Sequence, residues 1–92
     1  MTVSLDEMKN YLRVDYPDED ELISSLITTA EELVAHVARI PVGEAADSAE
    51  GNIRTAVLYS VAYLYEHRED ADHHKLMLDL RYLLFGIREP AF

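Results

Sequence analysis

A group of possible metal ligands lies near the middle of the second half of the chain. It consists of the imidazole and carboxylate side chains of Glu66, His67, Asp70, His73 and His74. Such groups bind zinc and other divalent cations, so one interpretation is a metal-dependent hydrolase built on His67, His73 and His74. The spacing matches no zinc motif of the HExxH type. A charged helix end followed by a polar loop has the same composition, and we expect no bound metal and no cofactor.

Other catalytic groups are missing from the sequence. There is no cysteine, so a thiol nucleophile is excluded. The serines fall at helix caps or on helix faces, and no glycine-rich phosphate loop is present. His36 follows Glu32 by four residues, which is the spacing of a surface pair on a helix. We therefore expect that the protein is not an enzyme.

The charge is strongly acidic. Eighteen acidic residues against eight basic ones give a net charge of -10. Nucleic-acid affinity depends on clustered Lys and Arg, whereas the basic residues here are scattered beside acids. No apolar run approaches the ~18 residues of a membrane span, and the start MTVSLDEMKN has no signal-peptide pattern. We expect that the protein is synthesised in the cytoplasm, has no membrane partner and has no dedicated DNA-binding surface.

The residues Ile53 to Glu69 form the element around which the others must pack. Apolar residues recur there at helical spacing but also cover the opposite side, where Tyr59 and Tyr63 lie. A helix that is apolar nearly all round is buried on several sides. It is either the central core element or half core and half subunit interface, and we favour the second interpretation.

Three further helices are predicted. The first has a capping box at Ser4 and Glu7 and ends near Arg13. The second takes Asp18 as its N-cap and runs to about Ala38. Residues 39–52 have the composition of a long loop, and the last helix runs from about Leu76 to a C-cap at Gly86. The predicted fold is all-α: one domain over residues 1–92, with four helices of which the second and third form a long antiparallel pair.

The order of these elements resembles that of the phage head–tail connector (adaptor) proteins, the gp6-like family often described as DNA-packaging proteins. The likeness lies in four stretches. The start Val3-Ser4-Leu5-Asp6-Glu7-Met8-Lys9-Asn10-Tyr11-Leu12-Arg13-Val14-Asp15 is similar to the family's start, and Asp18-Glu19-Asp20-Glu21-Leu22-Ile23 opens a similar long helix. The family usually has Trp-Tyr-Glu-Asn-Arg-Glu where this chain has Leu64-Tyr65-Glu66-His67-Arg68-Glu69. The closing leucine pair Leu83-Leu84 and Arg88 complete the resemblance.

The resemblance implies a structural subunit of the neck of a tailed phage or prophage, made in the cytoplasm of the bacterial host. Such a subunit forms a homo-oligomeric ring, dodecameric on the portal, which docks below the portal and continues the DNA channel toward the tail. Its partners are the portal protein and the next neck or tail-completion protein, and duplex DNA passes through without specific binding. The alternative is a small acidic regulatory or antitoxin-like module that binds one basic partner as a monomer or two-fold dimer.

Two contact surfaces are predicted. The subunit interface pairs Tyr59 and Tyr63 with Leu26 and Ile27 on a neighbour's second helix. The second surface is a portal-docking tail after the last helix, because Pro90 keeps that segment extended while it carries large apolar side chains. The alternative for the tail is that it folds back on the core. The tail residues are Phe85, Ile87, Arg88 and Phe92.

Overall fold

The structure is a computed structural model that describes residues 2–47 and 51–85. These residues are all-helical, with five α-helices, one 3-10 turn and no strand among them. The predicted all-α class is therefore confirmed for this part of the chain, but the number of helices is larger than the four that we expected. The elements are α1 (Leu5–Leu12), a 3-10 turn (Pro17–Glu19), α2 (Asp20–Ala38), α3 (Val42–Asp47), α4 (Gly51–Glu66) and α5 (His73–Phe85).

The start of α1 has the capping box that the sequence predicts. The Ser4 side chain accepts a hydrogen bond from the Glu7 backbone N–H at 3.1 Å, and the Glu7 carboxylate accepts one from the Ser4 N–H at 3.1 Å. These two bonds satisfy N–H groups that a helix start leaves without partners. The helix ends at Arg13, which adopts the left-handed conformation with φ of 61°. Met8 is the buried side chain of this helix.

The prediction that Asp18 caps α2 is wrong. Pro17 begins a 3-10 turn in which Asp18 is the second residue, and α2 starts at Asp20 without a side-chain cap. Proline favours the first position of a helical turn because its fixed φ is already helical. Tyr16 is extended, as expected for a residue before proline. The end of α2 at Ala38 agrees with the prediction.

The predicted loop over residues 39–52 contains a helix, α3, that the sequence analysis missed. Pro41 starts it: its carbonyl accepts hydrogen bonds from the N–H groups of Glu44 and Ala45 at 3.0 and 3.2 Å. Ala45 is fully buried, and its backbone carbonyl accepts a hydrogen bond from the Thr2 hydroxyl. A helix this short is stable only when packed, so tertiary contacts override the loop-like composition.

Helix α4 occupies the centre of the core. It packs against α1, α2 and α5 within the same chain. That coverage explains most of the apolar residues on several of its sides and accounts for the core half of the interpretation that we favoured, while the interface half stays a prediction. Its half-buried side chains include Leu58 and Tyr59. The buried ones are Ile53, Ala56, Val57, Ser60, Val61, Tyr63 and Leu64.

Helix α5 begins earlier than predicted. The carboxylate of Asp72 accepts a hydrogen bond from the Lys75 backbone N–H at 3.0 Å, so Asp72 caps a helix whose first residue is His73 rather than Leu76. Leu76 and Leu80 are fully buried against the core. The helix is described to Phe85. The predicted C-cap at Gly86 lies outside the described residues.

Candidate docking surfaces

The four residues predicted to form the subunit interface differ in how much surface they have. Ile27 is fully buried and Tyr63 is only 8% exposed, and both belong to the core of the single chain. Leu26 and Tyr59 are half-buried at the edge of that core. Of the four predicted interface residues, only Leu26 and Tyr59 therefore have enough exposed surface to contact a second subunit.

Tyr63 is held in place by polar contacts within the chain. Its hydroxyl accepts a hydrogen bond from the Asp72 backbone N–H at 2.9 Å, which joins α4 to the start of α5. Its ring stacks on the His67 ring with the two centroids 4.3 Å apart. These contacts explain why a tyrosine on the second side of α4 belongs to the core rather than to the surface.

Tyr59 also joins α4 to α5. Its hydroxyl donates a hydrogen bond to the Asp79 carboxylate at 2.5 Å, and the Lys75 ammonium group lies 2.9 Å from the same carboxylate. Burial and the hydrogen bond to Asp79 raise the pKa of the Tyr59 phenol. A shallow recess of about 190 Å³ adjoins its ring and is also lined by Tyr82 and Leu83. The hydrogen bond to Asp79 thus restrains the orientation of the half-buried Tyr59 ring.

The histidines do not form a metal centre in the part of the chain that the structure describes. No three His, Asp or Glu side chains there lie close enough together to hold an ion. His67 Nδ1 lies 3.0 Å from the Tyr63 carbonyl oxygen. His73 and His74 are exposed in the first turn of α5. The metal-dependent hydrolase interpretation therefore has no site among these residues.

Glu19 is a polar junction that the sequence analysis missed. Its carboxylate accepts hydrogen bonds from the Tyr65 hydroxyl at 2.5 Å and from the Tyr16 hydroxyl at 3.4 Å, and it pairs with Arg68 at 2.9 Å. The bond to Tyr65 is the main cause of the lowered pKa of Glu19. The same bond, with burial, raises the pKa of Tyr65 to about 12. These contacts connect the start of α2 to the end of α4. No local pattern in the sequence indicates them, because Glu19 and Tyr65 are 46 positions apart.

Most described cations are paired with acids. The four ion pairs are Lys9–Asp20 at 2.7 Å, Arg54–Glu7 at 2.6 Å, Arg68–Glu19 at 2.9 Å and Lys75–Asp79 at 2.9 Å. The Arg54 guanidinium is the main cause of the lowered pKa of Glu7. Among residues 2–47 and 51–85, the arginines outside such pairs are Arg13, Arg39 and Arg81.

Two of the open grooves on the described part of the chain bear on docking. The first, of about 700 Å³, is lined by several tyrosines together with Arg13, His67 and Lys75. The second, of about 830 Å³, lies where the end of α2 meets the second half of α5, and we call it the α2–α5 groove. Its polar lining residues are His36, Arg39 and Arg81, and its apolar ones are Ala35, Val37, Ile40, Met77 and Phe85.

The predicted portal-docking tail is described only at its first residue. Phe85, the last residue of α5, is 54% exposed. Ile87, Arg88 and Phe92 lie outside the described residues. The exposed phenyl ring at the end of α5 is therefore the part of this surface that the structure defines.

None of the described helices is both long enough and apolar enough to cross a membrane.

The chain was compared with known proteins and protein families. No curated protein and no solved structure matches it. Residues 2–84, however, match the family described as phage gp6-like head-tail connector protein. This match spans every described helix except the last residue of α5. The chain therefore belongs to the phage gp6-like head–tail connector family, whose members are structural proteins.

Proposed function

We propose that the protein is a non-enzymatic subunit of the neck of a tailed phage or prophage. It assembles as a homo-oligomeric ring, dodecameric on the portal, and continues the DNA channel toward the tail. The observation that carries this proposal is the family match over residues 2–84. Membership of a connector family implies a place between the phage head and tail and contact with other head and tail proteins.

The ring requires a contact between two different faces of neighbouring subunits, because only such a contact generates a closed ring of more than two members. The half-buried Leu26 and Tyr59 retain exposed surface for this purpose, whereas Ile27 and Tyr63 are used inside the subunit. Tyr59 is fixed by its bond to Asp79 at 2.5 Å. A rigid, half-buried aromatic ring can bind a partner without losing much conformational freedom.

The channel function is supported by charge. The chain carries a net charge of -10. Four of its described cations lie within 2.9 Å of a carboxylate oxygen and so contribute little positive potential. A ring of such subunits repels the phosphate backbone, which lets duplex DNA slide through without binding.

Docking on the portal is assigned to the segment that starts at Phe85. Its exposed ring supplies an apolar anchor at the end of α5, and Ile87 and Phe92 add further apolar side chains in sequence. Arg88 completes the segment with a charge that can pair with an acid on the portal. The opposite surface of the ring then meets the next neck or tail-completion protein. The acidic regulatory or antitoxin-like module is the second candidate, and the family match favours the neck subunit over it.

The proposal is tested by mixing the purified protein with the portal protein of the same phage and imaging the mixture by negative-stain electron microscopy. We expect an additional ring at one end of the portal. A mobility-shift assay with duplex DNA at physiological salt should show no binding. A discrete two-fold dimer that leaves the portal bare, or a salt-sensitive shift of duplex DNA at low micromolar protein, would contradict the proposal.

A further inference from the structure

The α2–α5 groove concentrates the positive charge that is left unpaired in the described residues. Arg39 and Arg81 are both exposed and both line this groove, whereas no acidic residue in the described part of the chain does. Neither arginine forms an ion pair among residues 2–47 and 51–85. In a chain with a net charge of -10, a groove with two guanidinium groups that lack an ion pair among the described residues is a distinct feature.

A structural role explains part of this arrangement. Arg39 follows the last residue of α2, and Arg81 lies in the second half of α5. Cations near helix C-termini interact favourably with the helix dipole. That interaction leaves the guanidinium N–H groups free, and such groups bind carboxylates in a bidentate geometry. The half-buried Ile40 and Met77 also line the groove, and we call these two side chains its apolar floor.

The other end of α2 has the complementary character. Asp18 and Glu21 are exposed there, and neither forms an ion pair among the described residues. Beside them Tyr16 is 47% exposed. Glu21 and Arg39 are 18 positions apart, which is five helical turns and about 27 Å at ~1.5 Å per residue. A chain therefore cannot join its own two sites, but two copies can.

We propose that the α2–α5 groove of one subunit binds the acidic start of α2 of a second copy of this chain. Arg39 and Arg81 pair with Asp18 and Glu21 of the neighbour, and the Tyr16 ring packs on the apolar floor of the groove. The ligand is thus an acidic, tyrosine-containing turn, which fits both the charge and the lining of the groove. The inference rests on the self-assembly proposed above and adds a second contact to the one assigned there to Leu26 and Tyr59.

A charge-exchange experiment tests the pairing. The variant Arg39→Glu/Arg81→Glu and the variant Asp18→Arg/Glu21→Arg should each lose self-association by at least tenfold, measured by sedimentation velocity at low salt, while their circular dichroism stays unchanged. An equimolar mixture of the two should recover association, because each reversed groove then meets a reversed acidic turn. Unchanged association of either variant, or a mixture that stays monomeric, overturns the proposal.

Cross-linking tests the geometry, since the chain has no cysteine of its own. Glu21→Cys and His36→Cys retain both arginines and Asp18. With a short bis-maleimide reagent, a mixture of the two single variants should give dimers. A matched mixture of His36→Cys with Thr55→Cys, an exposed position on α4, should give none. Equal yields from the two mixtures, or cross-links that form only after residues 87–92 are deleted, overturn the proposal; the second result assigns the groove to the chain's own tail.

The double variant Glu21→Cys/His36→Cys separates this inference from the proposed function. A ladder of cross-linked products supports both the contact and the ring. Products that stop at the dimer support the contact but contradict the ring, because a two-fold arrangement satisfies both sites at once. A ring on the portal without any cross-link supports the function and overturns the contact.

Discussion

The carboxylate of Glu31 on α2 accepts a hydrogen bond of 2.7 Å from the backbone N–H of Thr2, and both residues are buried. Thr2 makes two further bonds: its hydroxyl donates to the Ala45 carbonyl in α3, and its carbonyl accepts from Arg54 in α4 at 3.0 Å. Thr2, which precedes α1, therefore makes hydrogen bonds to α2, α3 and α4. These bonds make the residue part of the packed fold.

Glu31→Ala should lower the free energy of unfolding by about 1–3 kcal/mol, because the buried Thr2 N–H then loses its partner. For a chain of this size each kcal/mol corresponds to roughly 4–8 °C in Tm. Urea and thermal denaturation measure the change. The neighbouring Glu32 is exposed, so Glu32→Ala serves as the control and should shift stability little. Similar losses in the two variants would show that the Thr2 bond contributes nothing.

The bond between Tyr65 and Glu19 should make stability depend on pH at the alkaline end. The phenol donates its proton to the carboxylate, and its pKa is raised from 10.0 to about 12 in the folded state. The stabilisation is therefore fully present below pH 10, the unfolded pKa, and is lost as pH rises through about 12. Tyr65→Phe should lower stability at neutral pH, and its difference from the wild type should shrink across that window.

Urea denaturation at neutral and alkaline pH checks this prediction, and phenolate absorbance shows whether one late-titrating tyrosine disappears in Tyr65→Phe. Tyr16→Phe is the matched control, because Tyr16 reaches the same Glu19 carboxylate only at 3.4 Å. A difference between wild type and Tyr65→Phe that stays constant across the alkaline window would rule out the bond as its cause. In acid the contribution of Glu19 changes as well. Its folded pKa is lowered from 4.5, so that stabilisation is lost as pH falls through the folded value.

Short-range patterns predicted the parts of the fold that depend on short-range chemistry. The Ser4–Glu7 capping box and the end of α2 at Ala38 were read correctly because each depends on residues within one helical turn or on one apolar stripe. The Asp72 cap of α5 also had a local signal, an aspartate three residues before Lys75, which we overlooked. Helix α3 had a weak local signal, Pro41 at its start, but it also depends on its packing against α2 and on the bond from Thr2 to the Ala45 carbonyl.

The candidate surfaces were less predictable for the same reason. The apolar pattern of α4 shows that several sides are covered but not by what, and the covering elements α2 and α5 belong to the same chain. For Tyr63 we predicted an interface contact, and the apolar pattern did not indicate the hydrogen bond that its hydroxyl accepts from the Asp72 N–H nine positions away. Likewise, Glu19 meets Tyr65 across 46 positions. Such pairs depend on how helices pack, which a single sequence does not reveal.

Core and interface can be separated by placing the same charge at two positions. Tyr63→Glu should strongly destabilise the subunit, because Tyr63 is 8% exposed and a carboxylate there is buried without a partner. Leu26 on α2 is only half-buried. Leu26→Glu should therefore leave a cooperative unfolding transition while blocking assembly on the portal. Urea denaturation and negative-stain imaging measure the two effects. A Tyr63→Glu variant that stays as stable as the wild type but fails to assemble would return Tyr63 to the interface.

Deletion of residues 87–92 should separate folding from portal docking. Among the described residues of α5, the buried side chains are Leu76 and Leu80, and Leu84 packs at the edge of the core. We therefore expect the truncated chain to melt within a few degrees of the wild type. Binding to portal, measured by co-sedimentation, should disappear because the apolar anchors after α5 are gone. Val42→Ala is the control: Val42 is also an exposed apolar residue, at 48%, but lies on α3, and its loss should leave portal binding intact. A truncation that melts the free subunit, or that still binds portal, would assign the tail to the fold instead.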